Sequence, residues 1–266
     1  MRQRYLGTAA LRRAAMVGAI ALGLCLAGVN AGAASGVDPE EDRILKSMAS
    51  YLGKLPAFSV QGDVDDEVID LAGQKLQFSG QASLVVDRPS RFLAQRQGPL
   101  ADLEAIFDGK TLTLHGKRAQ VYAQLEAPGT IDEAITALRS ETGLDAPAGD
   151  LFFADPYPGL MTDVMSGAYI GTAYVSGVEC HHLAFRAAKV DWQIWIQTGD
   201  RPLPMKYIIT TKWMTGAPEY SVRFRDWNIE PKVDASRFSF VPPLGAKRLD
   251  TISVDALGAL MIEEKP

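Results

Sequence analysis

Residues 76–89, LQFSGQASLVVDRP, decide the fold. Leu76, Phe78, Ala82, Leu84 and Val86 recur at every second position, the period at which strand side chains share one face. Gly80 stands in the middle of the run, where a wide, curved strand has use for a position without a side chain. So long a strand needs partners on both sides. Phe58, Val60 and Val64 alternate with polar residues just upstream. Downstream, Asp108-Gly109 separates Glu104–Phe107 from Thr111–His115, the signal of a tight hairpin, and Val121, Ala123 and Leu125 continue the pattern. Further strands are expected around Tyr169–Val175, Glu179–Ala187, Asp191–Gln197, Met205–Trp213 and Tyr220–Ile229, joined by turns such as Thr198-Gly199-Asp200.

Helices interrupt the strands in two places. Asp38 is placed to cap a helix that Pro39 opens, with Glu41 completing a capping-box-like pattern. Ile44, Leu45, Met48, Tyr51 and Leu52 follow at helical spacing, with Gly53 as the stop. The same grammar returns at Thr130-Ile131-Asp132-Glu133, followed by Ile135 and Leu138, with Gly143 as the stop. A third, shorter helix is expected over about Tyr157 to Ser166. The fold class is therefore mainly β (α+β): an antiparallel sheet of about nine to eleven strands, large enough to curl, with two or three helices covering its apolar face.

Residues 1–33 read as a cleavable signal peptide. Arg2, Arg4, Arg12 and Arg13 form a positive region, Ala14–Leu26 is a charge-free apolar run, and Ala31-Gly32-Ala33 supplies small residues for cleavage. The apolar run is shorter than the roughly 20 residues that span a bilayer, so export to the periplasm is expected. Cleavage would leave 23 basic against 32 acidic residues, a formal charge of −9, which disfavours nucleic acid and suits a basic partner surface. Cys180 would be the one remaining cysteine, so no internal disulfide forms. The expected organisation is one domain over residues 34–250 with an appendage at 251–266, as a monomer.

Four segments, in order, resemble the periplasmic lipoprotein-carrier superfamily, LolA-like with LolB-like and stress-sensor relatives. They are the amphipathic helix leading into the strand at Phe58, the run Gly80–Pro89 with Arg91-Phe92, the hairpin Phe107–Leu112, and the closing segment Val233–Gly245. Arg88-Pro89-Ser90-Arg91-Phe92 and Leu203-Pro204-Met205-Lys206 look nearest to a branch of predicted periplasmic proteins, DUF2092-like. The resemblance implies a strongly curved, unclosed half-barrel whose concave face lies under a helical lid. It also implies a lipid, a lipoprotein acyl chain or another hydrophobic ligand held between the two. In the carriers an arginine before the proline ties the lid to the sheet, and Arg88 is the matching residue. The alternative for Arg88 is a strand-end arginine that is solvated or paired with a nearby acid.

The ligand-binding set expected on this basis is Arg88, Phe78, Leu84, Phe92, Phe107, Leu112, Leu114, Trp192 and Ile194, with Ile196 beside them. These apolar positions suit a cavity wall or ordinary sheet core, and alternation alone does not separate the two. Cys180-His181-His182 puts only two metal-type residues on one strand face, fewer than a zinc site needs. Asp63, Asp65, Asp66 and Glu67 lack the glycine-turned loop of a calcium site. Trp213 and Trp227, near Arg223 and Arg225, suggest a cation–π ladder or simply a structural strand pair. No nucleophile elbow, zinc-protease helix, phosphate loop or dinucleotide turn occurs. No catalytic residue, metal or cofactor is therefore expected. The functional expectation is a non-enzymatic periplasmic carrier or chaperone; the alternative is an envelope sensor or protein-interaction module with a filled core.

Overall fold

The computed structural model describes residues 36–142 and 147–250. The segments expected to be a signal peptide (1–33), helix stop (Gly143) and appendage (251–266) lie outside them. Helix α1 (Pro39–Lys54) leads into strands β1 (Ala57–Ile69), β2 (Lys75–Asp87), β3 (Arg91–Gln97), β4 (Asp102–Phe107), β5 (Thr111–Gly116) and β6 (Val121–Glu126). Then come α2 (Ile131–Thr142), a 3-10 turn (Gly149–Phe152) and α3 (Pro156–Leu160). Strands β7 (Val164–Val175), β8 (Val178–Ala187), β9 (Val190–Gln197), β10 (Pro204–Thr211) and β11 (Glu219–Asn228) follow, and β12 (Lys247–Arg248) ends the described chain.

All twelve strands form one unclosed sheet in the order β12-β6-β5-β4-β3-β2-β1-β11-β10-β9-β8-β7. Neighbours are antiparallel except β12, which runs parallel to β6 through Lys247 and Arg248. That two-residue strand takes the count to twelve. Strand β3 is one that alternation does not pick out, because Arg96 interrupts its inner face while Leu93 is apolar on its outer face.

The helix starts follow local chemistry. The Asp38 carboxylate accepts the Glu40 N–H at 2.8 Å, and Pro39 occupies the first helical position. At α2 the capping box is reciprocal: Thr130 N–H donates to Glu133 Oε2 at 2.7 Å, and Glu133 N–H donates to Thr130 Oγ1 at 3.3 Å. Glu41 is buried, and its carboxyl lies against Gly167 of β7. Gly53 is not the stop. It lies inside the last turn of α1, where a β-carbon would stand 2.3 Å from the Ala154 carbonyl oxygen. Helix α3 is shorter than the 157–166 expectation. Pro156 and Pro158 suit only a first turn, Asp163 adopts a left-handed φ of 58°, and Val164–Ser166 already belong to β7. Strand β10 ends at Thr211, which leaves Trp213 69% exposed in the following turn.

The two faces of the sheet are covered differently. On the inner face, α1 packs Ile44, Leu45, Met48 and Leu52 over the β7–β11 half, which is filled by Leu183, Phe185, Trp192, Ile194 and Tyr207. Phe185 and Trp192 stack there with ring centroids 3.8 Å apart. Helix α2 packs Ile131, Ala134, Ile135 and Leu138 over the β2–β5 half. On the outer face, Phe238 is buried against Val85 and Ile106, and the Phe240 ring packs at a tilt against His115 and Tyr122, with centroids 5.4 and 5.1 Å away. The segment Val233–Gly245 is thus a strap across the back of the sheet.

Candidate functional site

Cross-strand register explains why the α2 half is not filled. The rung Phe58–Val86–Phe92–Phe107–Leu112 runs across five strands with a large side chain at every position. One step along the strands, the rung Val60–Leu84–Ala94–Ala105–Leu114 carries alanines at its centre. The next, Gly62–Ala82–Arg96–Leu103, begins with two small residues. Two rungs with small residues beside a bulky one leave a hollow rather than a core. Helix α2 roofs it with Ile131, Ile135 and Leu138, which share one helix face, and Ala148 and Phe152 continue the roof. The cavity measures about 470 Å³.

One end of the roof is clamped. Arg88, half-buried on the β2–β3 turn, donates from Nη2 to the carbonyl oxygens of Phe152 at 3.1 Å and Phe153 at 3.0 Å. Its guanidinium lies 5.9 Å from the Phe58 ring centroid. Burial pulls the group below its usual pKa, and the nearby Asp132 carboxylate opposes that shift. Asp132 itself accepts the Ala154 N–H at 3.0 Å, and the Ile131 N–H donates to the Pro89 carbonyl at 3.0 Å. The start of α2 and residues 152–154 are therefore held together at the Arg88-Pro89 corner. Farther along, Arg139 Nη1 meets Asp150 Oδ1 at 2.7 Å and ties α2 to the 3-10 turn.

The opposite end of the hollow is polar. Arg96 and Asp66 form an ion pair on the inner face, and the Arg96 guanidinium lies 5.7 Å from the Tyr220 ring centroid. Gly98 crosses closely over Gly80, where a β-carbon on Gly80 would stand 2.8 Å from the Gln97 carbonyl oxygen. The turn after it brings Leu100 and Ala101 onto the cavity wall. Arg118 holds that turn by donating to the carbonyls of Gly98 at 2.8 Å and Pro99 at 3.0 Å.

The expected residues divide by position. Leu84, Phe92 and Leu114 lie on the cavity wall, and Arg88 lies at the clamp. Phe107 and Leu112 are fully buried in the bulky rung behind the wall. Trp192, Ile194 and Ile196 are not on the wall; they belong to the packed half under α1. Phe78 is half-buried on the rung of Asp66, beyond the wall. Alternation gave no hint of Ala94, Ala105, Arg96, Tyr220 or the α2 residues as wall positions. The signal that finds them is the cross-strand register.

The other clusters resolve into local partners. Cys180 is buried and its thiol is pushed up to about 11 by burial. His182 stacks on Trp195 at 4.1 Å and approaches Gln193 Oε1 at 2.9 Å, while His181 on the opposite face meets the Tyr169 hydroxyl at 3.2 Å. Asp63 pairs with Arg225 at 3.2 Å and Glu67 with Lys75 at 2.8 Å, on the face opposite Asp66. Among the described residues no three metal-type side chains converge. Trp227 packs on Phe58 and Phe224, so it joins no ladder with the exposed Trp213.

Among solved structures, the chain is similar to the lipoprotein LppX of Mycobacterium tuberculosis, at 13% identity and a TM-score of 0.42, covering 74% of this chain and 100% of that one. It is similar to LprF of Mycobacterium bovis at 12% identity and a TM-score of 0.46, covering 76% and 98%. A LolA superfamily protein of Nitrosomonas europaea is similar at 9% identity and a TM-score of 0.38, covering 75% and 97%. No curated protein sequence matches. Residues 42–252 match the family described as predicted periplasmic protein (DUF2092), and the chain belongs to that family.

Proposed function

We propose that this periplasmic protein is a non-enzymatic carrier that holds an acyl chain, of a lipid or a lipoprotein, in the hollow between β1–β5 and α2. The observation that carries this reading is the cavity of about 470 Å³ over the Ala94–Ala105 floor. Its volume falls within the roughly 300–1,000 Å³ of ligand pockets. A buried methylene contributes about 0.8 kcal/mol, so a long acyl chain supplies on the order of 10 kcal/mol before ordering costs. A roof clamped at one corner by Arg88 lets that energy be released when the clamp opens. The interaction-module reading presumes a packed core, and the hollow under α2 speaks against that premise. Delipidated protein titrated with a fluorescent fatty acid is expected to saturate at one ligand per chain. A flat titration refutes the carrier reading.

A further inference from the structure

Resting on that carrier reading, we infer that Arg96 recognises an anionic head group on the ligand, so that the protein selects single-chain amphiphiles ending in a carboxylate or a phosphate. The inner face supplies the geometry. Of the cavity-lining residues, Asp66 and Arg96 are the charged pair whose strand register turns them inward. Glu104 falls on the outer face, where it meets Lys117 at 2.8 Å.

Arg96 is only partly committed. Its Nη2 meets the Asp66 carboxylate, and among the described residues its other guanidinium nitrogens donate to nothing. A guanidinium carries five N–H donors in a planar fork, so it can serve a second oxyanion while keeping the first. The Tyr220 ring lies within cation–π reach of it, 5.7 Å from guanidinium carbon to ring centroid. The pair is partly sheltered, with 26% of the Arg96 side chain and 21% of the Asp66 side chain exposed. Burial holds the Asp66 carboxyl above its usual pKa despite the guanidinium, so Asp66 is a displaceable partner. An acyl chain lying on the Leu84–Ala94–Ala105 floor brings its head to this end, one rung away. There a water-exposed neutral head gains nothing from Arg96, whereas an oxyanion gains a charge-assisted hydrogen bond.

The test uses full-length delipidated protein and three probes of equal chain length: myristate, tetradecyl phosphate and tetradecanol. Wild type is expected to bind the two anions about tenfold more tightly than the alcohol, as one charged hydrogen bond would give. Arg96→Gln is expected to bring both anions down to the alcohol's affinity and leave the alcohol unchanged. Whichever anion binds more tightly names the source, a free fatty acid or a phosphate head group. Asp66→Asn, which frees the guanidinium, is expected to raise anion affinity without moving the alcohol, and it decides the matter if Arg96→Gln does not fold. Equal wild-type affinity for all three probes overturns the head-group inference while the carrier reading stands. An equal loss for all three in Arg96→Gln also overturns it, because the arginine then acts on the fold. If no probe binds, the alcohol included, it is the carrier reading that falls.

Discussion

Ala94 on β3 and Ala105 on β4 are register partners, and together they form the floor of the hollow beneath α2. Neither residue would be noticed alone; opposite each other they remove two large side chains from one level of the sheet. Ala105→Leu should occupy the space of about three methylenes that a ligand would otherwise fill. At about 0.8 kcal/mol each, the expected loss is roughly 2 kcal/mol of binding, a drop of about thirtyfold. Thermal stability should hold or rise, since the leucine enters an existing void rather than a packed core. Titration with a fluorescent fatty acid, paired with a melting curve, measures both. Unchanged affinity would place the ligand elsewhere.

Arg88 spans from the β2–β3 turn to two carbonyl oxygens of the roof, and a leucine in its place leaves both without that donor. Hydrogen bonds from a charged group contribute about 1.5–3 kcal/mol each. Ligand dissociation from Arg88→Leu is therefore expected to be faster by about a hundredfold or more in a stopped-flow displacement experiment. Arg88→Lys keeps the charge but not the planar fork, so an intermediate rate is expected. Release kinetics identical to wild type would remove the latch role from this arginine.

Gly53 provides a test in which two local effects have opposite signs. In an exposed helix, glycine to alanine gains about 1 kcal/mol from propensity. Here the added β-carbon would stand 2.3 Å from a backbone carbonyl oxygen at Ala154, and backbone does not move aside cheaply. Overpacking costs about 1–3 kcal/mol, so Gly53→Ala is expected to lower stability by up to about 2 kcal/mol on balance. Chemical denaturation measures the difference. A stabilised variant would mean that α1 and the α3 segment are packed more loosely than this contact implies.

How much of this was legible in the sequence depends on what covers each strand. Strands β1 and β9 declare themselves because one face is buried and the other more exposed, so Val60 sits between Ser59 and Gln61, and Trp192 between Asp191 and Gln193. Strand β3 does not, because Leu93 on its outer face packs toward the Phe238 strap while Arg96 takes an inner position. Alternation also cannot say which helix lies above a residue. Trp192 and Leu84 carry the same signal, yet one is stacked in solid core and the other faces the hollow. The Arg88 corner was suggested only by the resemblance of Arg88-Pro89 to the carriers. Its partners Phe152 and Phe153, 64 and 65 residues away, were not, because local pattern holds no information on such a contact. Gly53 and Glu41 look like ordinary helix punctuation and serve as points of close approach to Ala154 and Gly167.

Glu41 leads to a pH dependence whose sign is fixed. Its carboxyl is buried against Gly167, and burial, opposed by the Asp38 backbone N–H and helped by repulsion from Asp38 and Asp42, raises it from 4.5 to about 8. Between those values the folded protein keeps the proton that the unfolded chain has lost. Stability from this group is then fully present below about 4.5 and declines as pH rises towards about 8, above which it changes no further. The chain's overall negative charge pushes in the same direction, so the wild-type curve alone does not isolate the residue. Glu41→Gln does isolate it, because the amide has nearly the same shape and does not titrate. Any cost of burying the amide is a constant offset across pH. The melting temperature of Glu41→Gln minus that of wild type should therefore climb between pH 5 and pH 8.5. A difference that stays level across that range would show that the Glu41 carboxyl is ionised and solvated in the folded protein, and that α1 does not seal against β7 at Gly167.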